Sequence, residues 1–183
     1  NPSNPTGAVY RPETVIALHQ RMSVAGGLLV VDEIYSGLTY DIDFSSSASI
    51  SDDIVVVSGF SKAYAMTGWR LGWMIVPSDL VRPIQKLAQN LFIAPPSISQ
   101  YAALNAFDEK EELAKMRALY KERRDFLIPR LNSLGFVISR IPDGAFYIYA
   151  GIEGFGMDSM TFVERALEEA GVAITPGYDF GAF

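Results

Sequence analysis

The sequence predicts an α/β fold with a mostly parallel sheet in its first part and a helix-rich part after it. Three observations carry that expectation. Short apolar runs that do not alternate recur at Leu28 to Val31, Ile54 to Val57 and Gly72 to Val76, the pattern of strands covered on both faces. Helical or loop stretches separate them, as α/β layering requires. The chain has 183 residues, 49% hydrophobic and 20% charged, enough to bury a sizeable core and unlike disordered or collagen-like chains.

Each element has its own signal. Asn1 to Gly7 (NPSNPTG) is dense in Pro, Asn, Ser and Gly and reads as a loop. Pro12 suits the first turn of a helix with Val15, Ile16, Leu18 and Met22 at helical spacing, and Gly26-Gly27 ends it. The first strand delivers Asp32, and the second runs into Ser58-Gly59-Phe60-Ser61-Lys62. From Pro77 the character changes. Helices are expected over Leu80 to Leu91 and Ser97 to Ala106, on either side of Ala94-Pro95-Pro96, then one long exposed helix from Glu109 to Leu134, interrupted or bent at Pro129. Strands Phe136 to Arg140 and Ala145 to Tyr149, a capped helix Asp158 to Ala170 closed by Gly171, and a short strand Val172 to Thr175 complete the reading.

Composition excludes several functions. With 21 acidic against 15 basic side chains and a net charge of -6, the surface repels phosphodiester backbones, so no nucleic acid partner is expected. No cysteine and one histidine rule out disulfides and leave too few soft ligands for zinc. No apolar run approaches the ~18 residues of a membrane span, so no membrane partner is expected. There is no G-x-G-x-x-G after a strand, since Gly151 to Gly156 (GIEGFG) has the wrong order, and no G-x-x-x-x-G-K-[ST]. A Ser-His-Asp hydrolase would depend on His19, which falls inside the first predicted helix. Both ends look cut: the chain opens on Asn1 in a loop and stops in a glycine-rich turn.

In open α/β sheets ligands bind at the carboxyl ends of strands. Asp32 and Lys62 both sit at such ends, whereas Lys86, Lys110, Lys115 and Lys121 fall in predicted helices. Taken singly, each candidate has an ordinary explanation: Asp32 a cap, Lys62 a surface lysine, Arg70 an ion pair, Tyr35 a core tyrosine, Asn4 a turn residue. As a set they form a pattern. Asn4-Pro5-Thr6-Gly7, Asp32-Glu33-Ile34-Tyr35, Ser61-Lys62 and Gly68-Trp69-Arg70-Leu71-Gly72 stand in the order and spacing of the fold-type I aminotransferases, and the chain resembles the class I and II, aspartate aminotransferase-like, branch. The similarity continues through Pro142-Asp143-Gly144-Ala145-Phe146-Tyr147, Pro176-Gly177 and Phe180-Gly181.

The resemblance implies a fragment. Residues 1–90 would be the C-terminal part of a large three-layer α/β/α domain that binds pyridoxal 5′-phosphate, and 91–183 most of a smaller α+β domain. It implies amino-group transfer between an amino acid and a 2-oxo acid in a cytoplasmic homodimer. Lys62 would hold the cofactor as a Schiff base and move a proton as general acid and base. Asp32 would face the pyridine nitrogen, Tyr35 and Asn4 the 3′ oxygen, and Arg70, with Ser61, the phosphate. Gly59 departs from the family, many of whose members carry a hydroxyl three positions before the lysine. The glycine-rich phosphate loop, the aromatic residue stacked on the cofactor ring and the arginine gripping the substrate carboxylate have no counterpart here. The same constellation serves β-lyases, and an aminotransferase-like domain can also act as the sensor of a transcription regulator.

Overall fold

A computed structural model describes residues 1–181. In chain order it contains α1 (Pro12–Val24), β1 (Val30–Asp32), β2 (Val55–Gly59), β3 (Gly72–Ile75), α2 (Ser78–Leu91), α3 (Ser97–Ala106), α4 (Lys110–Ser133) and α5 (Ser159–Ala170). The helices follow their local signals. Pro12 occupies the first turn of α1, where its missing N–H costs nothing. Asp158 caps α5 through the Thr161 N–H at 3.0 Å, and Gly171 ends it in the left-handed conformation. α4 runs unbroken past Pro129, so the expected interruption there is absent.

The sheet has the order β1-β2-β3. β1 pairs parallel to β2, with Val30 opposite Val55, but β3 pairs antiparallel, with Gly59 opposite Gly72. The sheet described is therefore mixed rather than mostly parallel. The cause lies in the connection: Phe60 to Leu71 contains no crossover helix, and a direct return can only bring the next strand back antiparallel. β2 is central and buried, as its unbroken apolar run predicts. Its Val56, with Ile54 and Val15 of α1, forms one core cluster against Leu29, Val31, Ala48 and Ile50. The rest of α1 is less covered than its periodicity suggests, with Ile16, Leu18 and Met22 all exposed.

The second half departs further. Residues 136–140 and 145–149 form no ladder: Val137 makes a single antiparallel bridge with Gly151, and Gly144, between the two segments, makes another with Thr39. The turn joining the two segments is tied to other parts of the chain instead. The N–H groups of Asp143 and Gly144 both bond the Gly7 carbonyl at 3.0 Å, and the Ala145 N–H bonds Leu38 O at 2.8 Å, while Pro142 has no N–H to offer. Val172 to Thr175 likewise runs without a ladder partner among the described residues. What these segments do instead is lock the first loop, the 38–40 segment and the 142–145 segment into one knot. α4 clamps it from outside: Arg124 Nη1 donates to Pro142 O at 2.8 Å, and its guanidinium lies 5.0 Å from the Tyr40 ring.

Candidate active site

β1 ends at Asp32, and the Glu33 N–H makes one more bond to Val57 O at 2.7 Å before the chain leaves the sheet in a tight turn. The two acids then diverge. Glu33 is buried, with its Oε1 accepting from the Ser47 N–H and its Oε2 from Ser46 Oγ, both at 2.7 Å. It anchors the 46–49 turn and is spent as a structural group. Asp32 stays exposed, its Oδ1 accepting from the Ile34 N–H at 2.9 Å, with no hydrogen bond to Oδ2 among the described residues. The turn then buries Tyr35 in a cluster with Leu38, Ala63 and Ala145.

Lys62 reaches this cluster because two chains come unusually close. Ala63 packs onto Gly37, where an added Cβ would sit 2.6 Å from the Ala63 Cβ; any larger residue at 37 would push the lysine turn away. The turn is closed by Ala65 N–H to Lys62 O at 3.1 Å and Met66 N–H to Phe60 O at 3.2 Å. The Lys62 ammonium consequently lies 5.9 Å from the Tyr35 ring and 5.8 Å from the Phe146 ring, within range of cation–π attraction. Among the described residues it has no carboxylate at ion-pair distance, in contrast to Lys115 and Lys121, which pair with Glu112 and with Asp41 and Asp125.

Asn4, Asp32 and Tyr35 line one cavity of about 370 Å³ at the carboxyl end of β1. Lys62 faces the Tyr35 ring without lining that cavity, so Tyr35 is the residue that joins the lysine to the cavity shared with Asn4 and Asp32. Ser61 and Arg70 lie on the facing arms of the β2–β3 loop, held by Phe60 N–H to Leu71 O at 3.2 Å. Arg70 has left-handed backbone, φ 52 and ψ 47, a costly conformation for a branched-out side chain that tends to mark functional sites. One of its nitrogens donates to Thr67 O at 3.0 Å; its other N–H groups make no bond among the described residues. Gly59 follows from the tight pairing of β2 with β3: an added Cβ would lie 3.0 Å from Leu71 O and 3.1 Å from the Gly72 Cα. Ser58 cannot substitute for the family's hydroxyl, since its Oγ donates to Glu33 O at 3.1 Å.

Sequence reasoning quoted Phe146 and Tyr147 within a motif but gave them no role. Both reach the site: Phe146 lies 5.5 Å and Tyr147 5.4 Å, edge-on, from the Tyr35 ring, and the Tyr147 and Tyr35 hydroxyls share a hydrogen bond. The aromatic doublet after a Gly-Ala turn was the only signal available. Burial first, then the Tyr147 hydroxyl, push the Tyr35 phenol well above its ordinary range. A larger cavity, about 490 Å³, lies between 136–139, 148–153 and the start of α5. It contains no predicted site residue, and its Asp158 is occupied as a helix cap. Among the described residues no cluster of acids or histidines suits a metal, and no helix is long and apolar enough to cross a membrane. His19 lies within α1, away from any strand end.

Fold and site together define an α/β protein whose strand ends gather a single lysine amine, a carboxylate and a phenol. The family model for aminotransferase class I and II matches residues 1–182. A valine–pyruvate aminotransferase of Mycobacterium tuberculosis is 41% identical, the match covering 98% of this chain and 47% of that protein. The solved structure of an aminotransferase from the same organism superposes with a TM-score of 0.92 at 42% identity, over 99% of this chain and 48% of that one. The aspartate aminotransferase of Thermotoga maritima superposes with a TM-score of 0.90 at 35% identity, over 98% and 47%. The chain belongs to the class I and II aminotransferases, and it spans about half the length of the curated relatives it matches.

Proposed function

We propose that the whole protein transfers an amino group between an α-amino acid and a 2-oxo acid, using pyridoxal 5′-phosphate bound at Lys62. One observation carries the proposal: the Lys62 amine, free of any carboxylate partner among the described residues, held beside Tyr35 where Asn4 and Asp32 converge. The donor set fits that cofactor. It offers a primary amine for a carbonyl carbon, a carboxylate with a free Oδ2 for a protonated ring nitrogen, hydroxyl and amide donors for a ring oxygen, and an arginine with unspent N–H groups for a phosphate. Bound there, the cofactor supplies an electron sink for the pair left when the substrate α-proton departs.

The chain's own residues do the rest. Lys62 would hold the cofactor carbon covalently and, once the substrate amine has displaced it, would carry the α-proton. Asp32 retains a proton at the ring nitrogen. Tyr35 and Asn4 stabilise negative charge on the ring oxygen, while Arg70 and Ser61 hold the phosphate. The relatives' names span valine and aspartate as amino donors, so the substrate class proposed is α-amino acids at large. Those names favour transfer over β-elimination or a sensor role. Residues 1–90 would belong to the cofactor domain and 91–183 to a second domain. A homodimer is the assembly proposed, supported by the exposed Leu91, Phe92, Ile93, Ile98 and Tyr101, an apolar surface of the kind that marks contacts.

Borohydride reduction of the full-length protein with pyridoxal 5′-phosphate, followed by peptide mapping, should place the adduct on Lys62. An adduct confined to another lysine refutes the assignment. Incubation with an amino acid and a 2-oxo acid should exchange the amino group; release of pyruvate and ammonia instead would identify a lyase.

A further inference from the structure

We propose that Tyr147 is a positioning residue for the Tyr35 phenol, its hydroxyl fixing where the Tyr35 hydroxyl points and leaving it the proton it offers to a bound ligand. This rests on the proposed role of Tyr35 and Lys62 in holding the cofactor. Tyr35 is buried and its ring is wedged edge-on between Phe146 and Tyr147, which fixes where its hydroxyl oxygen lies and leaves the O–H direction to its hydrogen-bond partners. The Tyr147 hydroxyl is the group it meets. Each hydroxyl carries one proton. When Tyr35 donates to a ring oxygen it can only accept from Tyr147, and a hydroxyl that accepts one bond donates the next more strongly.

Tyr147 is itself held by backbone rather than by loose side-chain packing. The Tyr40 hydroxyl donates to Ala145 O, the Ala145 N–H donates to Leu38 O at 2.8 Å, and the Tyr40 N–H donates to Asp143 O at 2.7 Å. Ala145, at φ 61, turns the chain so that Phe146 and Tyr147 both face the site. The charged and titratable groups around the phenol are Lys62 across its ring, Tyr147 at its hydroxyl, Asp32 at the start of its own turn, Tyr64 from the lysine's loop and Tyr120 from α4. Of these only Tyr147 bonds the Tyr35 oxygen among the described residues. The desolvated, proton-retaining state of Tyr35 accords with a donor held ready.

The test uses the full-length holoenzyme and the visible absorption of its lysine-bound cofactor titrated against pH. Tyr35→Phe should move the midpoint. Tyr147→Phe should move it in the same direction by about half to one pH unit, the scale of one neutral hydrogen bond, and the double variant should go no further than Tyr35→Phe alone. A midpoint unchanged in Tyr147→Phe but shifted in Tyr35→Phe overturns the proposal and leaves the site reading intact. Shifts that add in the double variant also overturn it, because Tyr147 would then act independently of Tyr35. No shift in Tyr35→Phe itself overturns the reading of the site.

Discussion

At the scale of single residues, the proposed site would separate groups that bind from groups that tune. Asp32 makes one local backbone bond and is otherwise uncommitted, so Asp32→Ala should leave the fold intact and cofactor affinity within about tenfold. Turnover should fall by roughly 10²-fold or more, the scale on which a preorganised charge acts; parallel measurement of cofactor Kd and kcat checks this, and equal losses would assign Asp32 a structural role. Tyr40 makes a different prediction. Burial pushes its phenol up to about 12 from the ordinary 10.0, against the lowering influence of Arg124. The folded state therefore holds that proton more tightly, and its stabilising effect is complete below pH 10 and lost as pH rises towards 12. Tyr40→Phe should cost about 1–3 kcal/mol at neutral pH by leaving Ala145 O unpaired, yet flatten the alkaline fall in stability. Denaturant melts at pH 7 and pH 11 separate the two effects. Of the candidate site, Lys62, Asp32, Tyr35, Asn4, Ser61 and Arg70 stand out in the sequence as a spaced set, and their roles remain the proposal above. Tyr147 does not stand out, because its role depends on a hydroxyl-to-hydroxyl contact across more than a hundred residues of sequence, which no local pattern encodes.

At the scale of elements, what was legible is what is locally determined. Pro12, Gly26, Asp158 and Gly171 mark helix ends because a cap needs only its neighbours, and α1 and α5 fall where those residues put them. Strands fared differently. The apolar residues at 136–140 and 145–149 suit an extended chain but say nothing about whether a ladder partner exists, and here the N–H groups of Phe136, Val137 and Ala145 go to Leu131, Gly151 and Leu38. The direction of β3 was hidden for a related reason, since it depends on the absence of a helix in the connection. Two substitutions test the element scale. Asp158→Ala should destabilise the protein through loss of the α5 cap, read as a lowered denaturation midpoint with unchanged m-value. Arg124→Met should cost more, about 2–3 kcal/mol, because a nearly buried guanidinium bonded to Pro142 O, Asp41 and Asp125 makes charge-assisted bonds that a methionine cannot replace.

At the scale of the whole molecule, the described chain is a surface in search of cover. β1 and β3 are both edges of a three-stranded sheet, Val30, Met74 and Ile75 are about half exposed, and unpaired edges of this kind invite pairing with another chain. A protein made of these 183 residues alone should self-associate in sedimentation at micromolar concentration and should not transaminate at a rate comparable to a full-length relative, because positioning of the substrate can account for ~7–11 kcal/mol of such a barrier. Turnover by the isolated segment would overturn this. The knot between the first loop and residues 142–145 also sets an order of events during synthesis. Lys62 leaves the ribosome roughly eighty residues ahead of Phe146 and Tyr147, a lag of several seconds at ~5–20 residues per second. Through that interval its amine has no aromatic wall and no fixed phenol beside it, and it meets aldehydes as any solvated lysine does. Under the proposed role of Lys62, selective capture of the cofactor would be reserved for chains that have passed Tyr147, and nascent chains arrested before Pro142 should react with pyridoxal 5′-phosphate no faster than a free lysine side chain.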